Sequence, residues 1–208
     1  MESDHNLNIP DHSENIFADG IHICHIFNDD QERMKTMSKF YLHGLSNNDR
    51  ILCIVDSISP QDVKSELENL GVDTTTLGSK FITADNESAY CPGGSFQPDA
   101  VLKGIHAFWD QAHNDGFAGA RVSGDMSWIL RKNVSIGSIM EYETQVLDYQ
   151  KICPCPAVCE YDARKFDGAL IMDVLAVHPV MLVRGQVVKN PYYIPPQEFL
   201  AQYYARQN

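Results

Sequence analysis

No apolar run in this chain approaches the ~20 residues needed to cross a bilayer, and no lysine- or arginine-rich patch relieves its acidic character. Sixteen basic residues stand against 28 acidic ones, a formal net charge of −12. Such a surface disfavours direct binding to nucleic acid or to an anionic membrane, because both depend on a cationic footprint. Cysteine is too scarce for a disulfide scaffold, at six residues in 208. The sequence also lacks a Gly-x-Ser-x-Gly elbow and a His-Glu-x-x-His zinc motif, so no hydrolytic centre declares itself. Residues 1–15 are polar and acidic, without the apolar segment of an export signal. A cytoplasmic location is therefore expected, where the thiols stay reduced.

What the chain does contain is 44% hydrophobic residues, enough for one substantial core. There is no internal repeat or low-complexity linker. The reading is a loose N-terminal tail over residues 1–18 followed by a single domain over 19–208.

Gly20 to Phe27 is an apolar, β-branched-rich run that reads as a buried strand. Asn28 to Glu32 then open a helix that continues to about Gly44. In a nucleotide-binding α/β protein this junction carries the glycine-rich phosphate loop. Lys35-Thr36 even stands where the Lys-Thr of such a loop would. Yet Asp29 and Met34 replace the two glycines, and Asp29, Asp30 and Glu32 would repel phosphate. The scaffold reads as nucleotide-binding with its nucleotide chemistry removed.

Strand and helix signals alternate through the rest of the chain. Strands are expected at 50–56, 80–84, 118–123 and 156–161, and helices from Ser59-Pro60 to Gly71, from Pro98 to near Gly116, at 136–150 and at 166–177. A turn-rich loop spans Tyr90 to Phe96, a hairpin spans 181–188, and Pro195-Pro196 begin a final helix. The small residues of Ala118-Gly119-Ala120 suit a crowded central strand. This alternation predicts an α/β fold of three layers, a mostly parallel sheet with helices on both faces.

Six separated motifs then occur in order: the strand with His22 and Cys24, Tyr90 to Phe96, Arg121-Val-Ser-Gly-Asp-Met-Ser-Trp128, Glu141-Tyr142-Glu143, Cys159-Glu-Tyr-Asp162 and His178-Pro179. Together they resemble the MEDS domain, the methanogen/methylotroph sensory domain named after a dichloromethane-responsive regulator, over roughly residues 18–200. The resemblance implies a RecA/KaiC-like core that has lost its nucleotide-binding motifs. It also implies a sensory, non-enzymatic role, with hydrocarbon derivatives or methylated compounds as ligands. Family members are often fused to DNA-binding or histidine-kinase modules. This chain shows neither, so its output is expected to pass through a signalling or transcriptional partner protein or a homo-oligomeric interface, unless the chain is a fragment of a longer protein.

In doubly wound sheets ligands bind outside the carboxyl ends of the strands. That rule and the resemblance nominate His22, Cys24, Arg121, Asp125, Trp128, Tyr142, Glu143, Tyr161 and His178 as ligand-binding residues. His22, Arg121 and Asp125 would fix polar groups, with an Arg121–Asp125 ion pair as one arrangement. Trp128, Tyr142 and Tyr161 would shape an apolar cavity, with Tyr142-Glu143 at its edge. The structural alternatives are a core Trp128, an Asp125 that caps a turn and a His178 held at a helix C-terminus by the dipole.

No cofactor is required by this reading. The alternative is a zinc or iron centre, or a redox sensor, using His22, Cys24 and Cys159 with Cys153 and Cys155. The spacing Cys153-x-Cys155-x3-Cys159 fits neither a zinc ribbon nor a thioredoxin motif, and Cys153 and Cys155 read as a solvated loop. A residual nucleotide-binding ATPase relative stands as a further alternative.

Overall fold

The computed structural model describes residues 20–131 and 134–207; the tail expected over 1–18 lies outside the described residues. Its strands are β1 (His22–Phe27), β2 (Asp49–Val55), β3 (Phe81–Asp85), β4 (Gly119–Asp125), β5 (Ala157–Asp162), β6 (Val180–Val183) and β7 (Gln186–Lys189). They form one sheet in the order β3-β2-β4-β5-β1-β6-β7. Every pairing is parallel except the β6–β7 hairpin. All six residues of β5 are buried, as expected of a strand covered on both faces and therefore lacking polar alternation.

The helices are α1 (Asp30–Ser46), α2 (Pro60–Asn69), α3 (Asn86–Tyr90), α4 (Pro98–Asn114), α5 (Ile136–Gln150), α6 (Gly168–Val177) and α7 (Pro196–Ala205). Their starts follow local chemistry. Ser59 and Asp62 form a reciprocal capping box ahead of α2, with Pro60 in the first turn. Asp29, Asp85, Ser135 and Asp167 each accept an amide N–H at the start of α1, α3, α5 and α6. The short α3 was not expected from sequence; the Asp85 cap creates it before the Tyr90–Phe96 loop.

Two cores lie on the two faces of the sheet. On one, Met37, Phe40 and Tyr41 of α1 and Val63 and Leu67 of α2 pack on Ile23, Ile51, Val158 and Leu182. On the other, the residues of α3 to α7 pack around Trp128, Tyr142, Val122 and Cys159. β4 runs on to Asp125 rather than ending at Ser123, and Met126–Leu130 follow as a 3₁₀ turn. The crowding expected of β4 is acute at Gly124, where an added Cβ would lie 1.9 Å from the Tyr90 hydroxyl. Among the described residues no helix is long and apolar enough to cross a membrane.

Candidate functional site

Two clusters of buried polar side chains sit back to back across β1, β4 and β5. Alternation along a strand sends successive side chains to opposite faces. His25, Asp125 and Glu160, aligned in register across β1, β5 and β4, face α1. There the buried Arg33 guanidinium, one turn into α1, donates to Glu160 at 2.7 Å, to Asp125 at 2.9 Å and to Ser57 at 2.8 Å. Burial alone would raise the Asp125 carboxyl, but Arg33, Ser57 and Ser127 hold it down to about 2. At Glu160 burial wins and the carboxyl is raised. One cation therefore serves two carboxylates and satisfies Asp125 more fully. His25 is held near 3 by burial and by Arg33.

This cluster lies toward the carboxyl ends of β1, β4 and β5, beside the start of α1, where doubly wound sheets bind ligands. The β1–α1 connection is only Asn28 and Asp29. The Asp29 carboxylate itself accepts the Glu32 amide, and Asp30 pairs with Arg164. Lys35 is exposed.

The second cluster lies on the opposite face. His22 of β1 and Cys159 and Tyr161 of β5 face α5, which lowers Glu143 onto them, while His178 enters from the C-terminal cap of α6. His22 Nε2 lies 3.1 Å from Glu143 Oε2 and 3.4 Å from Cys159 Sγ. His178 Nε2 lies 3.4 Å and Cys159 Sγ 3.5 Å from the same carboxylate oxygen. Tyr161 donates to the other oxygen, Glu143 Oε1, at 2.6 Å. His22, Glu143 and His178 are wholly buried.

Burial and the neighbouring His178 lower His22 to about 4. Burial opposes ionisation of Glu143, yet His178 and His22 hold its carboxyl below the usual range. Burial and Glu143 push the Cys159 thiol up, and Cys24 to about 12. Among the described residues, one donor atom each from His22, Glu143, Cys159 and His178 lie within 4.8 Å of one another, close enough to hold a metal ion.

The residues nominated from sequence thus divide. His22, Cys24, Glu143, Tyr161 and His178 are brought to one face of the sheet. Glu143 is not at a pocket edge but fully enclosed. Asp125 faces the other way, and Arg121 pairs with Asp49 at 2.6 Å near the start of β4. The expected Arg121–Asp125 pair does not form, because four residues along a strand separate them by about 13 Å. Trp128 is wholly buried and stacks on Tyr90, with ring centroids 4.9 Å apart. Phe96 packs against both Trp128 and Tyr142, so Trp128 and Tyr142 belong to an aromatic core.

Cys153 and Cys155 are buried rather than solvated. They line a small apolar cavity of about 20 Å³ with Leu102, Ile105, Val146 and Ala157, separate from the cluster that contains Cys159. Sequence reading carries Glu160 only within the Cys159–Asp162 motif, with no role, and does not single out Arg33. The signal for Arg33 was its place in the helical stripe of Arg33, Met37, Phe40, Tyr41 and Gly44, all buried.

Comparison with known proteins agrees with this architecture. The FlaH flagellar accessory protein of Methanocaldococcus jannaschii superposes with a TM-score of 0.55 at 8% identity, over 79% of this chain and 71% of that one. The KaiC-like protein PH0186 of Pyrococcus horikoshii OT3 gives 0.54 at 12% identity, over the same shares. At these identities the likeness establishes a RecA/KaiC-like fold alone. No curated protein matches the chain. The family model of the methanogen/methylotroph, DcmR sensory domain matches residues 21–179. This match over most of its length shows that the chain belongs to the MEDS family of sensory domains.

Proposed function

We propose that the chain is a non-catalytic sensor that takes up a small organic molecule, hydrocarbon-derived or methylated, and relays its presence to a regulatory partner protein. The observation that carries this reading is the His22–Glu143–Cys159–His178 cluster. Four polar side chains are enclosed in an otherwise apolar layer, where burial of polar groups costs stability unless every group is paired. Expense of that kind concentrates at functional sites. The cavity beside Cys153 and Cys155 adjoins the cluster through Ala157, the register partner of His22. Its volume is close to that of one water site, so an organic ligand would enter only as the surrounding side chains move apart.

The cluster joins β1, β5, α5 and the α6–β6 junction. A change in what occupies it would shift α6 and the β6–β7 hairpin between two arrangements, and a partner that prefers one would read the shift. Nucleophilic catalysis by Cys24 or Cys53 is disfavoured, because burial pushes both thiols up to about 12 and denies them the thiolate form a nucleophile needs. Nucleotide binding is disfavoured by the two-residue β1–α1 connection and by Asp29, whose carboxylate already takes an amide of the first turn.

Thermal melts with dichloromethane, methanol, methylamine and dimethyl sulfide test the reading, with magnesium-ATP as comparator. A ligand at 100 times its dissociation constant stabilises by about 2.7 kcal/mol. We expect one of the organic probes to raise the midpoint in the wild type but not in Glu143→Gln, and magnesium-ATP to leave it unchanged. Stabilisation by magnesium-ATP, with none from the organic probes, would overturn the sensor.

A further inference from the structure

We propose that His22, Glu143, Cys159 and His178 form a four-coordinate site for a divalent first-row transition ion, zinc foremost. Zinc bonds to nitrogen and oxygen at about 2.0–2.1 Å and to thiolate at about 2.3 Å, so the donor atoms of a tetrahedral site stand roughly 3.3–3.8 Å apart. Four of the six separations are 3.1, 3.4, 3.4 and 3.5 Å, and all four donor atoms lie within 4.8 Å of one another. Four side chains from four chain segments therefore stand close to the spacing of a coordination shell.

The hydrogen bonds around His178 favour a cation at the centre. Its Nδ1 lies 2.8 Å from the Val174 carbonyl oxygen. A carbonyl only accepts, so Nδ1 carries a proton, and in the neutral form of the ring a lone pair stands at Nε2. Nε2 faces Glu143 Oε2 at 3.4 Å and has no hydrogen-bond partner although it is fully buried. In the neutral form two acceptors oppose each other in an apolar layer. An ion between them turns the conflict into two bonds.

Outer contacts support His178 and Glu143, while His22 Nδ1 has no hydrogen-bond partner. Metal-bound histidines typically donate their second nitrogen to a carbonyl or carboxylate, as His178 does to Val174. The Tyr161 hydroxyl holds Glu143 Oε1 at 2.6 Å, leaving Oε2 as a single donor. A 2+ ion with one thiolate and one carboxylate is also neutral overall, the arrangement a dry interior tolerates best. Cys153 and Cys155 take no part. Loading would tie α5 and the α6–β6 junction to β1 and β5; that consequence, unlike the coordination itself, rests on the sensory reading above.

The test uses the full chain, stripped of metal with chelator under reducing conditions and titrated with cobalt(II). We expect one equivalent to bind, with intense visible bands of tetrahedral cobalt and a thiolate charge-transfer band in the near ultraviolet, all displaced by zinc. Cys159→Ser removes the charge-transfer band while Cys153→Ser and Cys155→Ser keep it. Tyr161→Phe weakens zinc about 10–100-fold, the usual cost of losing an outer-shell partner. Folded wild-type protein that takes up no cobalt, or a charge-transfer band that survives Cys159→Ser, overturns the site. If metal fails to bind while an organic probe still stabilises the stripped protein, the metal inference falls and the sensor stands. Metal binding with no response to any organic probe has the opposite meaning.

Discussion

Arg33→Met removes the cation that, among the described residues, pairs with both Asp125 and Glu160. The guanidinium bonds to Glu160, Asp125 and Ser57 and lies 4.8 Å from the Phe27 ring centroid. Methionine fills much of the aliphatic volume but leaves Asp125 and Glu160 side by side in register, each almost without solvent. Breaking a buried pair in this way costs about 3–5 kcal/mol, and two stranded carboxylates place the expectation at the upper end. Against a total stability of roughly 5–15 kcal/mol, that is a large share. For a domain of this size it lowers the melting midpoint by about 10–15 °C.

The pH dependence has a definite sign. Asp125 is held at about 2 in the folded protein, below its ordinary 3.8. Its contribution is thus present above pH 4 and is lost as the pH falls toward 2. In the variant the carboxylates lose their cation and bind protons more readily, so the gap between wild type and variant narrows as the pH is lowered from 7. Urea titrations followed by circular dichroism at several pH values give both quantities. The double variant Arg33→Met/Glu160→Gln should recover part of the loss, since one stranded charge is gone. A cost below about 1 kcal/mol at pH 7, or one that stays constant with pH, would refute the assignment of Arg33 as the shared counter-ion.

Three further outcomes follow from single contacts. Gly124→Ala drives a methyl to 1.9 Å from the Tyr90 hydroxyl, so Tyr90 must leave its stack on Trp128; we expect a loss of about 1–3 kcal/mol and altered tryptophan fluorescence, whereas unchanged stability would contradict the packing. Tyr161→Phe in metal-free protein strips Glu143 Oε1 of its donor and should cost about 1–3 kcal/mol in chemical denaturation. Ser59→Ala breaks the capping box of α2 and should cost about 1 kcal/mol, with no effect on metal uptake.

Most of the architecture is legible in the sequence. Strands buried on both faces need largely apolar runs, which β1 and β2 supply; β5 is buried throughout although it carries Glu160 and Asp162. The helix starts announce themselves through Ser59-Pro60, Pro98 and Pro195-Pro196. Alternation alone then demands parallel strands with helical crossovers. The exceptions are local. The helix α3 is a single turn raised by one cap, too short for periodicity to register. Cys153 and Cys155 looked solvated because prolines flank them, yet the chain folds back there and Gln150 holds the Cys155 carbonyl at 3.1 Å.

The candidate sites were legible only as separate residues. His22, Cys24, Glu143, Tyr161 and His178 could each be picked out along the chain, but residues 22, 143, 159 and 178 follow no ligand spacing that a motif would capture. Their meeting depends on β5 inserting beside β1, on α5 crossing above both, and on α6 ending where it does. Arg33 escapes because an arginine in a polar helix reads as a solvated side chain, and Asp125 is matched to Arg121 because both flank one expected strand end. Sequence settled the sheet, the caps and the acidic surface, since these follow from local periodicity and composition. Which polar groups share a dry interior was decided by strand order and helix placement, because partners chosen across a sheet leave no regular interval in the chain.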